Sequence, residues 1–483
     1  RVIVYMPDGS YLPFSRELRN YQYPHRIELL NREELVELAK ASTTETVILT
    51  LVTSLKPGQH LRAICGASSW PVLGLTHDIS AQEVYHELLL TLLGKPQKFD
   101  AFVCTSDAAL KAISSLQKIA EKTVGFQTNI EKPIIPLGIS PELSSSPKST
   151  ISDKKRKVIT FLYLGRLSYT MKADLAPLIS SISQSSLDKN KFKVILAGSV
   201  ISPDEETVKR YSHYIREEKL DSIITIEENI TDARRMELLS EADVLISPVD
   251  SFLETFGRVL LEAMAMGLPI IASDWSGYKE LIEEGKNGFL IPTIMSKKAI
   301  EGVSLSTTLA DRWSWYGEMS QCVIVDYDSL IEKMRYFLEA PSIIDTMGQE
   351  GRKKVESKFQ WPIVIQAYQK ECRRLCELSS FSAPIAQLIP YSYDLDKVFS
   401  HYPTSTINGD TIIRAKASGK KNIVPLKCLP PFFNSNELEI AFESISGGLS
   451  IHKMPFSEYK AMRYASYFLK QNMAEIIESE KVI

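Results

Sequence analysis

Residues 244–272 constrain the fold most, because two short apolar runs flank an apolar segment of helical length. Val244–Ser247 and residues 270–272 have the length and composition of buried strands. Between them we predict a buried helix that begins near residues 255–257 and ends at Gly267 and Pro269. Strands that are apolar along their whole length and joined by such a helix are typical of parallel βαβ units.

The same alternation of strand and helix patterns continues along much of the chain. In the first half we predict strands at residues 2–6, 47–53, 72–76, 101–105 and 134–137, and helices at residues 32–41, 81–93 and 107–122. In the second half we predict strands at residues 158–164, 193–197 and 223–226, and helices at residues 205–219 and 232–240. The predicted fold class is therefore α/β, with two doubly wound, Rossmann-like domains.

The length of 483 residues suits two or three domains. Residues 144–157 are polar, rich in serine and then basic, which is typical of a linker. We predict one domain over residues 1–150, a second over residues 151–360, and a small accessory α/β region over residues 380–483. The role of that region stays open between homo-oligomer formation, acceptor docking and structural support.

Composition excludes several kinds of partner. The net charge of −3 gives no reason to expect nucleic-acid binding. No apolar run reaches the length of a membrane span, and the six cysteines are scattered, so we expect a cytoplasmic protein with reduced thiols. The lysines of residues 107–122 predict a solvated helix face, and a weak peripheral membrane contact is the alternative.

Two acids, Glu254 and Glu262, stand on either side of the start of the central helix. A buried carboxylate is costly without a partner, so Glu262 either pairs with a distant arginine or binds ligand hydroxyl groups. The N–H groups of Phe256, Gly257 and Arg258 open the helix, where an anion such as phosphate is stabilised. This order of carboxylate, amides and carboxylate predicts a site for a sugar, a diphosphate and a ribose.

Further candidate residues follow the ends of other predicted strands, where ligands bind in open α/β sheets. Gly165 and Arg166 follow the strand at residues 158–164, and Lys172 comes six residues after the arginine. The glycine allows a close approach of the backbone, and the two cations can hold a diphosphate, although a surface pair is the alternative. His77 follows the strand at residues 72–76 and either lines a cleft or caps the next helix.

Together these residues resemble the donor-site signature of GT-B fold glycosyltransferases of the retaining family 4 type, the glycosyl transferases group 1. The resemblance is carried by Glu254-x7-Glu262 with ETFG, EAMA-x-G-x-P and SDW-x-GY, preceded by Gly165-Arg166-Leu167 and Lys172, and it spans roughly residues 70–378. One departure is that a single glycine, Gly9, follows the first predicted strand, where the family usually has two.

The resemblance implies transfer of a sugar from a nucleotide diphosphate-sugar, a UDP-sugar before others, to a hydroxyl acceptor with retention at the anomeric carbon. It implies that Glu254 orients the sugar, Glu262 holds the ribose and His77 lies near the sugar. The diphosphate would contact Arg166, Lys172 and the backbone of residues 255–258, which begin with Thr255. Ile230 lies where relatives hold the nucleobase through backbone atoms, and a helix over about residues 361–378 would cross back to the first domain. Neither a metal nor another cofactor is expected.

Other functions remain open at this point. A nucleotide-sugar epimerase shares the fold and would convert the donor without an acceptor. A non-catalytic carbohydrate-binding or assembly protein would keep the fold without the charged set, and a glycogen-phosphorylase-like enzyme would need a lysine for pyridoxal phosphate. Residues 295–325, with Trp313 and Trp315, are expected to form a loop against the cleft or an insertion.

Overall fold

A computed structural model describes residues 2–5, 27–30, 37, 46–50, 53–66, 69–141, 143, 157–202, 204–306, 312–381, 398, 406–417 and 433–478. The chain forms two compact units, of which one is Thr44–Pro390 and the other combines Arg1–Thr43 with Tyr391–Ile483. The domain boundaries predicted near residues 150, 360 and 380 stay predictions.

Strands and helices alternate through the larger unit. The described strands are β1 (Val2–Tyr5), β2 (Ile27–Leu30), β3 (Ile48–Thr50), β4 (Val72–Leu75), β5 (Ala101–Val103), β6 (Ile159–Leu164), β7 (Phe192–Gly198), β8 (Ile224–Glu228), β9 (Val244–Ser247), β10 (Ile270–Ser273), β11 (Gly288–Ile291), β12 (Thr293–Met295), β13 (Val323–Val325), β14 (Ile412–Ala415), β15 (Leu449–Ser450) and β16 (Ala474–Glu478). The described α-helices are α1 (Lys56–Cys65), α2 (Gln82–Leu93), α3 (Asp107–Val124), α4 (Ala176–Gln184), α5 (Glu205–Glu217), α6 (Asp232–Glu241), α7 (Arg258–Ala265), α8 (Tyr278–Leu281), α9 (Lys297–Ser306), α10 (Arg312–Ser320), α11 (Tyr327–Glu339), α12 (Ile343–Lys358), α13 (Trp361–Ser380), α14 (Ser435–Ser444) and α15 (Glu458–Lys470).

The principal sheet has six parallel strands in the order β11-β10-β9-β6-β7-β8. The central strands β9 and β10 are buried at every position, as expected where helices cover both faces of a parallel sheet. From β6 the chain first adds β7 and β8 on one side, and it then returns to add β9 to β11 on the other. This reversal places a topological switch point between β6 and β9, where open α/β sheets bind ligands beyond the carboxyl ends of the strands.

A second parallel sheet, β3-β4-β5, belongs to the same unit. A buried ion pair ties it to α1, since the Arg62 guanidinium donates to both carboxylate oxygens of Asp100 at 2.7 and 2.8 Å. The same carboxylate accepts from the Val72 N–H at 2.9 Å, so Asp100 fixes the start of β4. Val364 and Leu375 of α13 pack against the apolar side chains of this sheet.

The structure confirms the α/β class and most of the predicted strands of the larger unit, and Ser106 caps α3 by accepting from the Ala109 N–H. It also corrects three expectations. Residues 134–137 form only an isolated bridge between Ile134 and Cys104, because Pro133 and Pro136 have no N–H to donate. Helices α1 and α4 were not predicted, and Trp313 and Trp315 lie in α10 rather than in a loop.

Several predicted segments lie outside the described residues, namely residues 6–10, most of 32–41 and 144–156. In the smaller unit, β1 pairs with β2 in parallel, and β15-β14-β16 form an antiparallel sheet. Phe442 of α14 and Phe468 of α15 pack edge to face in a core shared with Ile413. Among the described helices of the chain, none is both long and apolar enough to cross a bilayer.

Candidate active site

A pocket of about 590 Å³ opens at the switch point of the six-stranded sheet. Gly165 and Arg166 come from the end of β6, Gly198 from the end of β7, and Ile230 from the loop after β8. The rest of the lining includes Lys172, Arg235, Arg258 and Glu262. The structure therefore brings together six of the residues predicted from the sequence: Gly165, Arg166, Lys172, Ile230, Arg258 and Glu262.

Lys172 and Glu254 form an ion pair whose side chains are each 13% exposed. The Glu254 carboxylate also accepts from the Tyr278 hydroxyl at 3.3 Å and from the Phe256 N–H at 3.2 Å. The Ser276 hydroxyl donates to the backbone carbonyl of Glu254 at 2.6 Å. Four contacts thus hold the acid in one position.

The ionisation of Glu254 follows from this set of partners. Burial acts to raise the pKa of Glu254, but the charge and hydrogen bond of Lys172, with the Phe256 amide and Tyr278, outweigh burial and lower it. Burial and the neighbouring carboxylate raise the pKa of Tyr278 well above its usual value, so its hydroxyl stays protonated. A carboxylate anion held by a lysine is the state that the predicted hydrogen bonds to sugar hydroxyl groups require.

Glu262 is paired with two arginines in this structure. Its side chain is 4% exposed, and it meets the Arg235 guanidinium and the Arg258 Nε, the latter at 3.1 Å. The alternative of a buried acid paired with a distant arginine is thus present, although Glu262 still lines the pocket and its predicted contact with a ribose stays a prediction. Arg166, by contrast, has no carboxylate partner among the described residues, and its Nη1 contacts the sulfur of Met171 at 3.7 Å.

The start of α7 differs in detail from the prediction. The helix begins at Arg258 because Gly257 has a φ of 104°, a conformation that favours glycine. A Cβ on Gly257 would lie 2.5 Å from the Tyr278 ring. Phe256 is buried against Phe359, and its N–H already donates to Glu254, so the amides left for an anion are those of Gly257 and Arg258.

His77 lies at the end of β4, in the other sheet of the unit. Its backbone N–H donates to the Thr53 hydroxyl at 2.6 Å, and the same hydroxyl donates to the His77 carbonyl. A hydrogen bond with Asp78 raises the pKa of His77, and Glu254 and Arg166 are near enough to act on it electrostatically. His77 therefore lies near the donor-side charges without lining the pocket itself.

A second, larger cleft of about 1210 Å³ adjoins this pocket, with Glu254 and Thr255 in its wall. The Ser106 hydroxyl at the start of α3 donates to the Thr255 carbonyl at 2.6 Å, and the Ala108 N–H donates to Glu280 at 3.3 Å. These two contacts join α3 to the loop that carries Glu254. The remainder of the lining comes mostly from apolar side chains.

Sequence reasoning missed four residues that position the site: Thr53, Arg235, Ser276 and Tyr278. Tyr278 belongs to the SDW-x-GY segment, and Arg235 lies near the start of α6. The sequence contains both residues but does not indicate that they contact Glu254 and Glu262. In the described part of the chain, no group of three or more histidines, cysteines and acids is placed to hold a metal ion. The site roles assigned from the sequence remain predictions.

Comparison with solved structures identifies the fold as GT-B. The chain superposes on the Anabaena Alr3699/HepE structure, determined with UDP, with a TM-score of 0.53 and 16% identity over 78% of this chain and 100% of that one. A glycosyltransferase from Rickettsia africae gives a TM-score of 0.51 and 14% identity over 77% and 98% of the two chains.

Sequence comparison finds similarity to glycosyltransferases. Residues 145–317 match the model of the glycosyl transferases group 1. Human alpha-1,3/1,6-mannosyltransferase ALG2 is 27% identical over 41% of this chain and 42% of its own length. The Mycobacterium leprae phosphatidyl-myo-inositol mannosyltransferase is 28% identical over 33% of this chain and 39% of its own. The chain thus spans less than half the length of these curated relatives.

Proposed function

We propose that this protein is a retaining, family 4 type glycosyltransferase that moves a sugar from a nucleotide diphosphate-sugar to a hydroxyl acceptor. The observation that carries the proposal is the set of four cations, Arg166, Lys172, Arg235 and Arg258, around a pocket at a topological switch point. Of these, Arg166 lacks a carboxylate partner among the described residues, so its guanidinium is ready for a phosphate. The matched family supports the same class of reaction.

The donor would lie across the pocket in three parts. The diphosphate contacts Arg166, Lys172 and the amides of Gly257 and Arg258, which stabilise the charge that develops on the leaving group. The ribose lies near Glu262, and the base lies near Ile230 at the end of β8. UDP in the Anabaena HepE structure supports a uridine nucleotide as the first donor to test.

The reaction proceeds at the anomeric carbon, between the pocket and the larger cleft. The acceptor oxygen forms a bond to this carbon on the face from which the diphosphate leaves, and the carbon–oxygen bond to the diphosphate breaks with its electron pair on the diphosphate. The acceptor proton passes to that diphosphate oxygen, so no side chain acts as the base. Glu254 holds the sugar hydroxyl groups, and His77 faces the sugar from the other sheet. The charge of the diphosphate is met by side chains, without a metal ion.

A binding and turnover assay tests the proposal. UDP-, GDP-, ADP- and TDP-sugars are offered singly, and release of the nucleoside diphosphate is measured with and without alcohol acceptors. At least one donor should bind and release its nucleotide, and failure of all four classes would refute the transferase function. Donor conversion without loss of nucleotide would identify an epimerase instead.

Variants then test the site. Arg166→Ala should weaken nucleoside diphosphate binding by about 10- to 100-fold, the equivalent of one charge-assisted hydrogen bond of about 1.5–3 kcal/mol. Arg216→Ala, on the exposed surface of α5, removes the same charge elsewhere and should leave binding unchanged. If the two variants bind alike, the diphosphate does not lie at Arg166.

Glu254→Ala should bind nucleotide but lose transfer, and wild-type transfer by this variant would refute the role of Glu254.

A further inference from the structure

Most of the lining of the larger cleft lies outside the donor contacts proposed above. Its walls come from helices and loops that follow strands of both sheets of the Thr44–Pro390 unit. Apolar side chains of five segments supply most of the surface, namely Ile79, Ala112, Leu116, Phe252, Trp275 and Trp315. A concave site of this size with a few polar groups is typical of a small-molecule site.

The wall is also built to stay apolar. Trp315 and Met319 of α10 belong to a buried hydrophobic cluster with Ala81 and Leu253, so the floor of the cleft is continuous with the core. Phe252 and Trp275 pack edge to face at 5.1 Å between ring centres. At the rim, Ile119 of α3 is 53% exposed. An apolar ligand that covers this half-exposed isoleucine removes apolar surface from water, and this burial favours binding.

Polar groups in the cleft are few, and most have partners. Asp274 and Lys279 face each other at 3.5 Å, which leaves little net charge from this pair. His86 lines the cleft beside Tyr85, whose hydroxyl is 2.8 Å from that of Thr123. Such a lining does not suit a polyanion or a long sugar chain, because both need many hydrogen-bond donors and acceptors.

In the cleft lining, the indole nitrogen of Trp315 and the hydroxyl of Ser80 have no hydrogen-bond partner within the described residues. Both atoms are buried beneath the surface of the cleft, so they offer a ligand no polar contact and the exposed lining there stays apolar. Glu254 also lines the cleft, and its ion pair with Lys172 links the cleft to the donor pocket. The apolar space is therefore continuous with the place where the acceptor hydroxyl must react.

We propose that the acceptor is an amphiphile, whose reactive hydroxyl lies near Glu254 and whose single hydrocarbon chain or aryl group fills the cleft between α3 and α10. This inference rests on the proposed transfer reaction for the position of the hydroxyl. The apolar part of the ligand binds in the cleft whether or not a donor is present.

The test measures chain binding directly. Alkyl glycosides with six, eight and ten carbons and a bromine at the chain end are titrated below their micelle concentrations, and quenching of tryptophan fluorescence is recorded. Two of the five tryptophans of the chain, Trp275 and Trp315, line the cleft. The dissociation constant should fall about three- to fourfold for each added CH₂, as burial of a methylene predicts. Quenching that is absent, or that does not depend on chain length, would overturn the proposal.

Matched variants locate the chain. Ala112→Phe fills the cleft from an exposed position on α3 and should weaken quenching about tenfold or more, roughly the equivalent of two excluded methylenes. Ser115→Phe adds the same ring to α3 at an exposed position that does not line the cleft, and should change the dissociation constant by less than about twofold. Ile119→Glu, at the rim, is a second variant with little risk to folding and should also weaken binding. Equal binding by Ala112→Phe and Ser115→Phe would refute the location.

Two further measurements separate the possible failures. Vesicles of brominated phosphatidylcholine test delivery from a bilayer, and quenching by vesicles without quenching by the monomeric glycosides would mean surface adsorption and would overturn the proposal. Nucleoside diphosphate binding is measured on the same samples. If a nucleotide binds and the glycosides do not, the cleft proposal fails while the transferase proposal stands. If the glycosides bind and no nucleotide does, the transferase proposal fails while an apolar ligand site in the cleft stands.

Discussion

Replacement of Lys172 by methionine tests the ion pair at the centre of the site. Lys172 is the cation partner of Glu254, and both side chains are 13% exposed. Methionine keeps much of the length and apolar volume of the lysine but removes its charge. The variant therefore leaves a largely buried carboxylate with only neutral partners, the Phe256 N–H and the Tyr278 hydroxyl.

The expected cost is about 3 kcal/mol of unfolding free energy at neutral pH. Removal of one partner of a buried ion pair typically costs about 3–5 kcal/mol, and the lower end applies because two neutral hydrogen bonds remain. Lys172→Met with Glu254→Gln removes both charges and should recover at least about 1.5 kcal/mol relative to Lys172→Met alone, because no unpaired charge is left.

The pH dependence has a definite sign. In the native protein the pKa of Glu254 is lowered, so the pair adds stability above the carboxylate's ordinary value of about 4.3, and this stability is lost as the pH falls through the native pKa. Without Lys172, burial dominates and raises the pKa of Glu254. The destabilisation of the variant should therefore be full at neutral pH and should shrink on acidification, as Glu254 becomes neutral in the folded variant.

Urea unfolding followed by tryptophan fluorescence measures the effect, since Trp70, Trp275, Trp313, Trp315 and Trp361 all lie in the Thr44–Pro390 unit. Lys209→Met is the control, because it breaks an ion pair of exposed side chains, which solvent screens, and should change stability very little. A cost for Lys172→Met that equals the control, or that does not change with pH, would show that Glu254 is not an ionised, buried partner.

Three further predictions concern other parts of the unit. Asp78→Asn should lower the pKa of His77 because it removes the carboxylate that raises it, and the NMR titration of the imidazole should move to lower pH. Gly257→Ala should cost more than Gly285→Ala, since both have a positive φ but only the Cβ of the former meets a ring, and thermal unfolding should show at least about 1 kcal/mol between them. Arg62→Met leaves a fully buried carboxylate unpaired and should cost about 3–5 kcal/mol in urea unfolding.

The sequence was most informative where one physical pattern sets local structure. The apolar runs of β9 and β10 contain no alternating polar side chains that would face solvent, which predicts strands buried on both faces. The structure places both strands inside the sheet. The N-cap of α3 is also a local feature, because the Ser106 hydroxyl accepts from the Ala109 N–H of its own helix. Helix α1 was not predicted, although its Pro57 lies in the first turn, where proline is compatible with a helix.

Contacts between residues of separate segments could not be predicted from such local patterns. Glu254 and Lys172 are 82 positions apart, and they meet because β9 is placed beside β6 and not beside β8. The burial of Asp250 could not be predicted from the sequence either. It follows β9 in a loop that reads as polar, yet it is buried near Asp174, and burial raises its pKa to about 8. Neither outcome follows from composition, because strand order decides which loops share an end of the sheet.

The contacts around the four cations also imply an order of importance for diphosphate binding. Arg166 has no carboxylate partner among the described residues, and Lys172 can turn toward a phosphate because Phe256 and Tyr278 continue to hold Glu254. Arg235 and Arg258 share the carboxylate of Glu262, so either one leaves a buried acid with a single cation if it moves. We therefore expect Arg166→Ala to weaken nucleoside diphosphate binding more than Arg235→Ala does, by about tenfold if the difference is one charge-assisted hydrogen bond. Calorimetry on both variants measures this, and a larger loss in Arg235→Ala would mean that the diphosphate displaces Glu262 from its arginine.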